Sequence, residues 1–220
     1  MKIATWNLER PNASTAKRNA AILAKLKEVD AEILILTETN TCIELGNAYN
    51  VAYTETPTAA MYKPGERRIA VLTKYNIAAE LNTYDNVTAK CVCIETPLGK
   101  VRVYGTIIGV YGNRRACFKP HLEKQIADWQ SISSQGALCI AGDYNISFSD
   151  NYYYTAEGRE KILSAFSSLH IENLTTDIAS NIDHIAISAQ LIKGRKCVVS
   201  TWNEDKKLSD HIAVCVQVFE

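Results

Sequence analysis

The sequence has no excess of charge of either sign. Its 220 residues contain 24 Lys and Arg and 24 Asp and Glu, so the formal net charge is zero. Sequence-independent binding to nucleic acid depends on a basic surface that displaces counterions from phosphates. The chain as a whole lacks the charge for such binding, although a local basic face is still compatible with this balance.

Long apolar segments are also missing. Residues 3–8 already have the pattern of a strand and lack the apolar core of a secretory signal. No later apolar run is long enough to cross a bilayer. We therefore expect neither secretion nor membrane insertion. The seven cysteines lack the paired spacing of zinc sites. We interpret those in strand-like runs as buried, reduced thiols of a cytoplasmic protein: Cys91, Cys93, Cys139, Cys197 and Cys215.

The remaining composition is that of a globular protein. Hydrophobic residues make up 47% of the chain and charged residues 22%, which is enough apolar surface to offset the entropy of ordering the chain. A single core commonly extends to roughly 250 residues, so we expect residues 1–220 to form one domain. The sequence contains no internal repeat and no low-complexity tract.

Strand patterns dominate the chain. Apolar and β-branched runs predict at least nine strands, over residues 2–8, 33–38, 69–73, 90–95, 101–108, 137–141, 182–188, 195–200 and 211–219. Helical patterns cover residues 14–29, 118–133 and 156–169, and loops are predicted over residues 57–68 and 145–154. Few helices among many strands favour an α/β four-layer sandwich, two packed mixed sheets flanked by helices, over a doubly wound parallel sheet.

Polar segments follow several of these apolar runs, where a strand leaves its sheet and the next side chain faces a cleft. Glu38 would suit Mg²⁺ as a hard oxygen ligand, although a single carboxylate at a strand exit is more often only solvated. Asp143 and Asn145 alternate, so they point the same way on an extended chain, unless they form an Asx turn. The five segments are Trp6-Asn7, Glu38, Gly142-Asp143-Tyr144-Asn145, Asn181-Ile182-Asp183-His184 and Ser209-Asp210-His211.

Two of these segments contain a histidine directly after an aspartate. Adjacent side chains diverge on an extended chain, so Asp210 or another carboxylate can orient His211 only if the backbone bends. An imidazole oriented by a carboxylate acts as a general base or as a cationic donor to a phosphoryl oxygen. For His184, structural and functional roles are equally open.

In this order, the five segments resemble the motifs of the endonuclease/exonuclease/phosphatase superfamily, which includes deoxyribonuclease I, abasic-site endonucleases, inositol polyphosphate phosphatases and sphingomyelinases. The resemblance spans essentially the whole chain. It implies a deoxyribonuclease I-like fold and a divalent-metal-dependent hydrolase that cleaves a phosphate ester by in-line attack of an activated water.

The resemblance also implies roles for the metal and the water. Glu38 would hold Mg²⁺ or Mn²⁺, and Asn7 would help to orient the metal or a phosphate oxygen. Asp143 would position or deprotonate the attacking water.

Further roles concern the phosphate. Asn145 would donate a hydrogen bond to the scissile phosphate, and Asp183 would support the phosphate or stabilise the leaving group. His211 would contact a phosphoryl oxygen, with its ring held by Asp210.

One segment departs from the family pattern. Members usually carry a histidine or tyrosine at the end of the strand before the central helix, where this chain has Thr106 or Ile107. A phenol or a guanidinium can bond a phosphate oxygen in its place. The candidates are Tyr104, Tyr111, Arg114 and Arg115, although Arg114 and Arg115 could equally be a solvated loop pair.

Three functions are compatible with these motifs. The first is a phosphoesterase that acts on a small phosphoester or a nucleic-acid end. The second is a DNA or RNA endonuclease, and the third is a degenerate member that binds a phosphorylated ligand without hydrolysis. The short spacer of residues 146–181 and the neutral charge argue modestly against a processive DNA enzyme, and the oligomeric state is not encoded in any motif. An endonuclease would need one phosphate track formed by Lys63, Arg67, Arg68, Arg114 and Arg115.

Overall fold

The structure, a computed structural model, describes residues 1–58 and 62–219. The strands in these residues are β1 (Lys2–Asn7), β2 (Ile33–Asn40), β3 (Asn50–Tyr53), β4 (Glu66–Thr73), β5 (Ile77–Leu81), β6 (Ala89–Thr96), β7 (Gly99–Ile107), β8 (Leu138–Asp143), β9 (Ile171–Asn173), β10 (Asp183–Ser188), β11 (Cys197–Trp202) and β12 (Ala213–Val218). The helices are α1 (Ala16–Val29), α2 (Phe118–Ser133), α3 (Ala156–Ser168) and α4 (Ala189–Ile192), and a 3₁₀ turn, Ala13–Thr15, precedes α1.

The strands form two mixed sheets of six strands each. The first has the order β11-β12-β1-β2-β4-β3 and the second the order β5-β6-β7-β8-β10-β9. Each sheet contains one parallel pair, β1 with β2 and β7 with β8. The other pairings are antiparallel.

Apolar side chains fill three layers between and around the sheets. Ile35 and Val103 belong to the core between the two sheets, because alternate residues of a strand point to the same face. Leu26 of α1 packs on the outer face of the first sheet, and Trp129 of α2 and Phe166 of α3 pack on the outer face of the second. The fold is therefore the predicted four-layer α/β sandwich.

The nine predicted strands and three predicted helices are all present, with ends that shift by a few residues. The three strands without a prediction, β3, β5 and β9, each lie at the edge of a sheet. An edge strand is short and half-solvated, so its apolar pattern is weak. The predicted loop at 145–154 contains no helix or strand. The loop predicted at 57–68 ends earlier, because β4 begins at Glu66, and its residues 59–61 lie outside the described part of the chain.

The cysteines and the membrane prediction can also be compared with the structure. All seven cysteines are free thiols. Cys91, Cys139 and Cys215 are buried as predicted, whereas Cys93 and Cys197 are partly exposed. In the part of the chain that the structure describes, no helix combines the length and the apolar character of a membrane span.

Strand direction brings the polar segments to one edge of the sandwich. The parallel strands β1 and β2 end there, and so does β8 in the second sheet. Because β10 and β12 run antiparallel to β8 and β1, they begin at the same edge. β1 packs across the core on β8 and β10. Residues that are distant in sequence therefore meet where the two sheets face each other.

Candidate active site

Two buried aspartates face each other at this edge. The register of β8 and β10 pairs Asp143 with Asp183, and their carboxylates are 4% and 0% exposed. One ligand atom each of Asp143, Asp183 and His211 lies within 4.8 Å of the other two. Gly142 allows this approach, since a Cβ at its φ of 137° would lie 2.1 Å from the carbonyl oxygen of Thr106.

Amide groups hold the carboxylate of Asp143 in place. The Asn7 side chain donates from Nδ2 to Oδ2 of Asp143 at 3.2 Å, and the backbone N–H of Asn145 donates to Oδ1 at 2.8 Å. The second contact closes an Asx turn, with Asn145 at a left-handed φ of 51°, so the structure has the turn and not the extended chain. The Asn145 side chain donates from Nδ2 to the carbonyl oxygens of Ile108 and Gly109 at 2.9 and 3.4 Å. It thereby ties the end of β8 to the loop after β7.

His211 is held by Asp183 and not by its sequence neighbour Asp210. Nδ1 of His211 lies 2.5 Å from Oδ2 of Asp183, whereas Oδ1 of Asp210 lies 3.7 Å from Nε2 and its side chain is 68% exposed. This corrects the expectation that Asp210 fixes the ring. The physical reason is that Asp183 begins β10 as a fully buried residue next to Nδ1, while the Asp210 carboxylate is largely exposed to solvent beside Nε2.

The buried charges change the protonation of the cluster. Burial alone would lower the pKa of His211, but the charge and hydrogen bond of Asp183 outweigh it, with help from Asp143 and Asp210, and the pKa rises to about 10. The ring is therefore an imidazolium at neutral pH. Burial raises the pKa of Asp143 to about 7, with the charges of Asp183 and Glu38 adding to the rise.

Glu38 lies beside this cluster. It lies within β2, the parallel neighbour of β1, and has a left-handed conformation with φ of 44°. Its Oε1 accepts a bond from Nη1 of Arg68 at 3.3 Å. Burial raises the pKa of Glu38 against the opposing charges of Arg68 and His211. These mutual effects of Glu38, Asp143 and His211 indicate that the Glu38 carboxylate faces the same cleft.

Strained backbone is concentrated at this edge. Besides Glu38, the non-glycine residues Glu9, Arg10 and Asn145 have positive φ angles of 51°, 53° and 51°. Such conformations cost on the order of 1–3 kcal/mol each and persist where surrounding contacts enforce them. They occur here directly after β1, within β2 and after β8, where the chain turns its polar side chains into the cleft.

The five basic residues proposed as a phosphate track do not form one. Arg67 and Arg68 are adjacent on β4 and point to opposite faces, so Arg67 lies over the ring of Tyr53 at 5.9 Å while Arg68 is buried beside Glu38. Lys63, Arg114 and Arg115 are exposed. Among the described residues, neither Arg114 nor Arg115 forms an ion pair.

The loop that carries Arg114 and Arg115 nevertheless borders the site. Its glycine, Gly112, lies against Tyr153, since a Cβ there would come within 2.2 Å of the Tyr153 hydroxyl. Tyr111 of this loop is 60% exposed. Among the described residues, none of the side chains of Tyr111, Arg114 and Arg115 forms a hydrogen bond or ion pair with Asp143, Asp183 or His211.

Tyr104 lies on the wrong face of β7 for a role in the site. It is fully buried, its hydroxyl donates to Asp128 at 2.7 Å, and its ring packs against Trp129 of α2. Thr106 is two residues further and faces α2 as well, where its hydroxyl contacts Gln125. Ile107 points into the core between the sheets. Thr106 and Ile107, the two candidates for the position where the family carries a histidine or tyrosine, therefore bring no titratable group to the cleft.

His184 has a structural setting. It is fully buried, with Nδ1 3.0 Å from the hydroxyl of Thr175 and Nε2 2.8 Å from the carbonyl oxygen of Ile146. Burial lowers the pKa of His184 to about 4. The neutral ring thus links β10 to the loop after β8, and it points away from the cleft because its neighbour Asp183 points into it.

A pocket of about 270 Å³ opens beside His211. Among the lining residues that were not predicted from the sequence as parts of the site are Tyr152, Tyr153 and Lys206. The run of three tyrosines after the Asp143 segment, and a lysine five residues before His211, were the available signals. The lining consists of Asn145, Tyr152, Tyr153, Ser180, Ile182, Lys206, Asp210, His211 and Ile212.

The comparison with protein families agrees with this arrangement. The model of the Endonuclease/Exonuclease/phosphatase family matches residues 4–211, which include the polar segments from Asn7 to His211. The chain belongs to this family. No curated protein sequence matches the chain.

Solved structures share the fold over nearly the whole chain. A 3′ phosphatase, NExo, from Neisseria bound to a product DNA hairpin has a TM-score of 0.73 at 15% identity, and all of both chains is covered. An AP endonuclease from Archaeoglobus fulgidus has a TM-score of 0.72 at 13% identity, again with full coverage. An endonuclease/exonuclease/phosphatase from Beutenbergia cavernae has a TM-score of 0.70 at 15% identity, with 99% of this chain and 71% of that chain covered.

Proposed function

We propose that this chain is a divalent-metal-dependent phosphoesterase that hydrolyses a phosphate ester by in-line attack of water. The observation that carries the proposal is the convergence of Asp143, Asp183 and His211, with Glu38 beside them, from four separate strand ends. A buried group of acids without an equal number of cations is costly. Such a group is typical of a site that binds a cation and a phosphate.

The residues present fit Mg²⁺ or Mn²⁺. The donors are hard oxygens, as these ions prefer, and Oδ1 of Asp183 is buried with no hydrogen-bond partner among the described residues. Glu38 would hold the ion and the Asn7 amide oxygen would help to orient it, while Asp143 and Asp183 lie in the same cleft. A bound ion supplies charge that neutralises the developing negative oxygens and lowers the pKa of bound water.

The side chains of the cluster divide the remaining work. Asp143 is proposed to accept the proton of the attacking water, since an acceptor with a pKa near the operating pH is the most effective general base. The imidazolium of His211 is proposed to donate to a phosphoryl oxygen from Nε2, because Nδ1 is occupied by Asp183. Asp183 keeps the ring charged and oriented. Together these groups position the reactants and stabilise negative charge, which is most of the catalysis that phosphoryl transfer needs.

Nucleic acid is the substrate class that the comparisons favour. The similar structures include a phosphatase bound to a DNA hairpin and an AP endonuclease. Because Arg67 and Arg68 diverge, we propose a nucleic-acid end or a small phosphoester, processed in a reducing cytoplasm, in preference to a long internal duplex site.

Hydrolysis assays would test this proposal directly. The substrates are abasic-site DNA, single-stranded and duplex DNA, RNA, inositol phosphates and nucleotide diphosphates, each with Mg²⁺ or Mn²⁺ and with EDTA. We expect turnover that EDTA stops and either metal restores. Glu38→Gln should abolish it, whereas the matched control Glu44→Gln, an exposed carboxylate, should not.

A second pair of variants tests the histidine. His211→Ala should lower kcat by roughly 10²–10⁴, and His121→Ala, at a half-buried position of α2 beside Tyr84, should leave it unchanged. Turnover that is indifferent to EDTA, or full activity of Glu38→Gln or His211→Ala, would rule out the proposed site. A folded protein that binds phosphorylated compounds but hydrolyses none of them would support the degenerate, ligand-binding alternative.

A further inference from the structure

Lys206 places an unpaired positive charge at the mouth of the pocket beside His211. Its ammonium group lies 3.1 Å from the hydroxyl of Tyr152 and 4.9 Å from the centre of the Tyr152 ring. Throughout residues 1–58 and 62–219, no carboxylate forms an ion pair with Lys206. Its neighbour Lys207, in contrast, is ion-paired with Asp205 at 2.7 Å and does not line the pocket.

The loop under Lys206 is built to hold it there. Lys206 itself has a left-handed φ of 53°, as does Asn203 with 59°. The Asn203 amide donates to the carbonyl oxygens of Ser209 and His211, both at 2.8 Å, and its Oδ1 accepts from the backbone N–H of Leu208 at 3.0 Å. These bonds connect the segment of Lys206 rigidly to the segment of His211.

The opposite wall, which carries Tyr152, is also ordered by specific contacts. Asp150 accepts from the backbone N–H groups of Tyr152 and Ser180 at 3.0 and 2.7 Å. Arg159 donates to the carbonyl oxygen of Ser147 at 2.6 Å. Tyr152 is still 52% exposed, although an aromatic ring normally buries most of its surface. A fixed, exposed ring next to a lysine is an arrangement that binds a planar group beside an anion.

The pocket dimensions limit what can be bound. Its volume of about 270 Å³ is just below the roughly 300–1,000 Å³ typical of ligand pockets. It has room for one planar unit. Its lining combines Asn145, Asp210 and His211 of the candidate active site with Tyr152 and Lys206.

We propose that Tyr152 and Lys206 form a nucleotide subsite, in which a nucleobase stacks on Tyr152 and the phosphate one nucleotide away from the scissile ester binds Lys206. The inference rests on the proposed function for the position of the scissile phosphate. It assigns the substrate as a single-stranded nucleic-acid segment, since a strand supplies both a base and a second phosphate, whereas a sugar phosphate lacks the base. Base stacking on aromatic side chains is tolerant of sequence, so the subsite selects strands and not particular bases.

Binding measured without turnover tests this subsite. The probe is fluorescein-labelled hexathymidylate, followed by fluorescence anisotropy in EDTA. We expect Tyr152→Ala to weaken binding by roughly 5- to 150-fold and Tyr152→Phe to leave it within about twofold of the original protein. Lys206→Ala should weaken binding and reduce the slope of log K against log salt by about 0.7. Lys206→Arg should keep the affinity and the salt slope of the unaltered protein, and Lys207→Ala should change neither quantity.

A second probe separates the two contacts. It has the same phosphates, but abasic tetrahydrofuran units replace the bases. Tyr152→Ala should bind this abasic probe as tightly as the unaltered protein does, whereas Lys206→Ala should bind it more weakly. Thymidine 3′,5′-bisphosphate as competitor distinguishes a strand from a small nucleotide, and displacement of hexathymidylate at equal concentration would overturn the assignment to a strand.

Three results would contradict the subsite itself: no binding of hexathymidylate by the unaltered protein, equal effects of Lys206→Ala and Lys207→Ala, or equal binding by Tyr152→Ala and Tyr152→Phe. Failure of the proposed function gives a different result. In that case the binding pattern is as described, but Mg²⁺ and Mn²⁺ support no cleavage of the same strand.

Discussion

The charge of Asp183 beside His211 can be removed by Asp183→Asn, which keeps the size and shape of the side chain. In the present protein the fully buried carboxylate lies 2.5 Å from Nδ1 of His211. An amide carries no charge to stabilise the imidazolium, so burial is then opposed only by the charges of Asp143 and Asp210. We therefore expect the pKa of His211 to fall from about 10 toward its ordinary value of about 6.5.

The difference between a pKa of about 10 and the ordinary 6.5 corresponds to about 5 kcal/mol. Because the folded pKa of His211 is the higher one, this contribution to stability is complete below pH 6.5 and is lost as the pH rises through 10. The difference in free energy of unfolding between the unaltered protein and Asp183→Asn should therefore decrease between pH 6.5 and pH 10, by up to about 5 kcal/mol. Catalysis should suffer more, since carboxylate-to-amide changes in histidine–aspartate pairs have cost about 10⁴ in kcat.

NMR of the histidine ring nitrogens in EDTA, over pH 5 to 10, measures the titration directly. The unaltered protein should show His211 protonated across most of this range, and Asp183→Asn should show it neutral at pH 7. Urea unfolding of both proteins at pH 6 and pH 10 gives the stability difference. A His211 ring that titrates alike in both proteins would refute the reasoning, because it would show that Asp183 does not hold the proton on the ring.

Three further substitutions test the surroundings of the site. Tyr104→Phe removes the bond to Asp128 and should lower the free energy of unfolding in urea by about 1–2 kcal/mol, with unchanged kcat. Gly142→Ala places a Cβ 2.1 Å from the backbone of Thr106, so it should separate β7 from β8 and lower both the melting temperature and the activity. For His184 the folded pKa of about 4 lies below the unfolded value of about 6.5. Its contribution to the free energy of unfolding is therefore complete above pH 6.5 and is lost as the pH falls toward 4, by up to about 3 kcal/mol. His184→Gln should remove that pH dependence from urea unfolding curves.

Each of these substitutions has a result that contradicts its reasoning. A drop in kcat for Tyr104→Phe without loss of stability would place that hydroxyl in the mechanism after all. Gly194 has a positive φ but open space around it, so Gly194→Ala is the control for backbone strain alone. Equal losses in Gly142→Ala and Gly194→Ala would remove the argument from close strand approach. A parallel decline in acid for the unaltered protein and His184→Gln would mean that other groups determine the acid sensitivity.

The central strands of both sheets were predictable because a buried strand leaves a strong apolar pattern. Residues 33–38 and 101–108 are examples, and each of these runs became a central strand. The edge strand β5, Ile77–Leu81, has the sequence IAAEL with three exposed residues in its middle, which no local pattern distinguishes from a loop or a helix. Pairing with β6, the next strand along the chain, decides its structure.

The sequence by itself determined the order of the polar segments and the residue types that they bring to the cleft, since both are local properties. Only the tertiary structure decided which carboxylate holds His211. The candidates were its neighbour Asp210 and Asp183, which lies 28 residues before His211, and the choice depends on how β10 faces β12 across the core. The same holds for Tyr104, which the alternation of β7 turned toward α2, and for Tyr152 and Lys206, which two loops bring together over the pocket. Side-chain direction follows from the register and packing of the sheets, and these are set by contacts that no short segment contains.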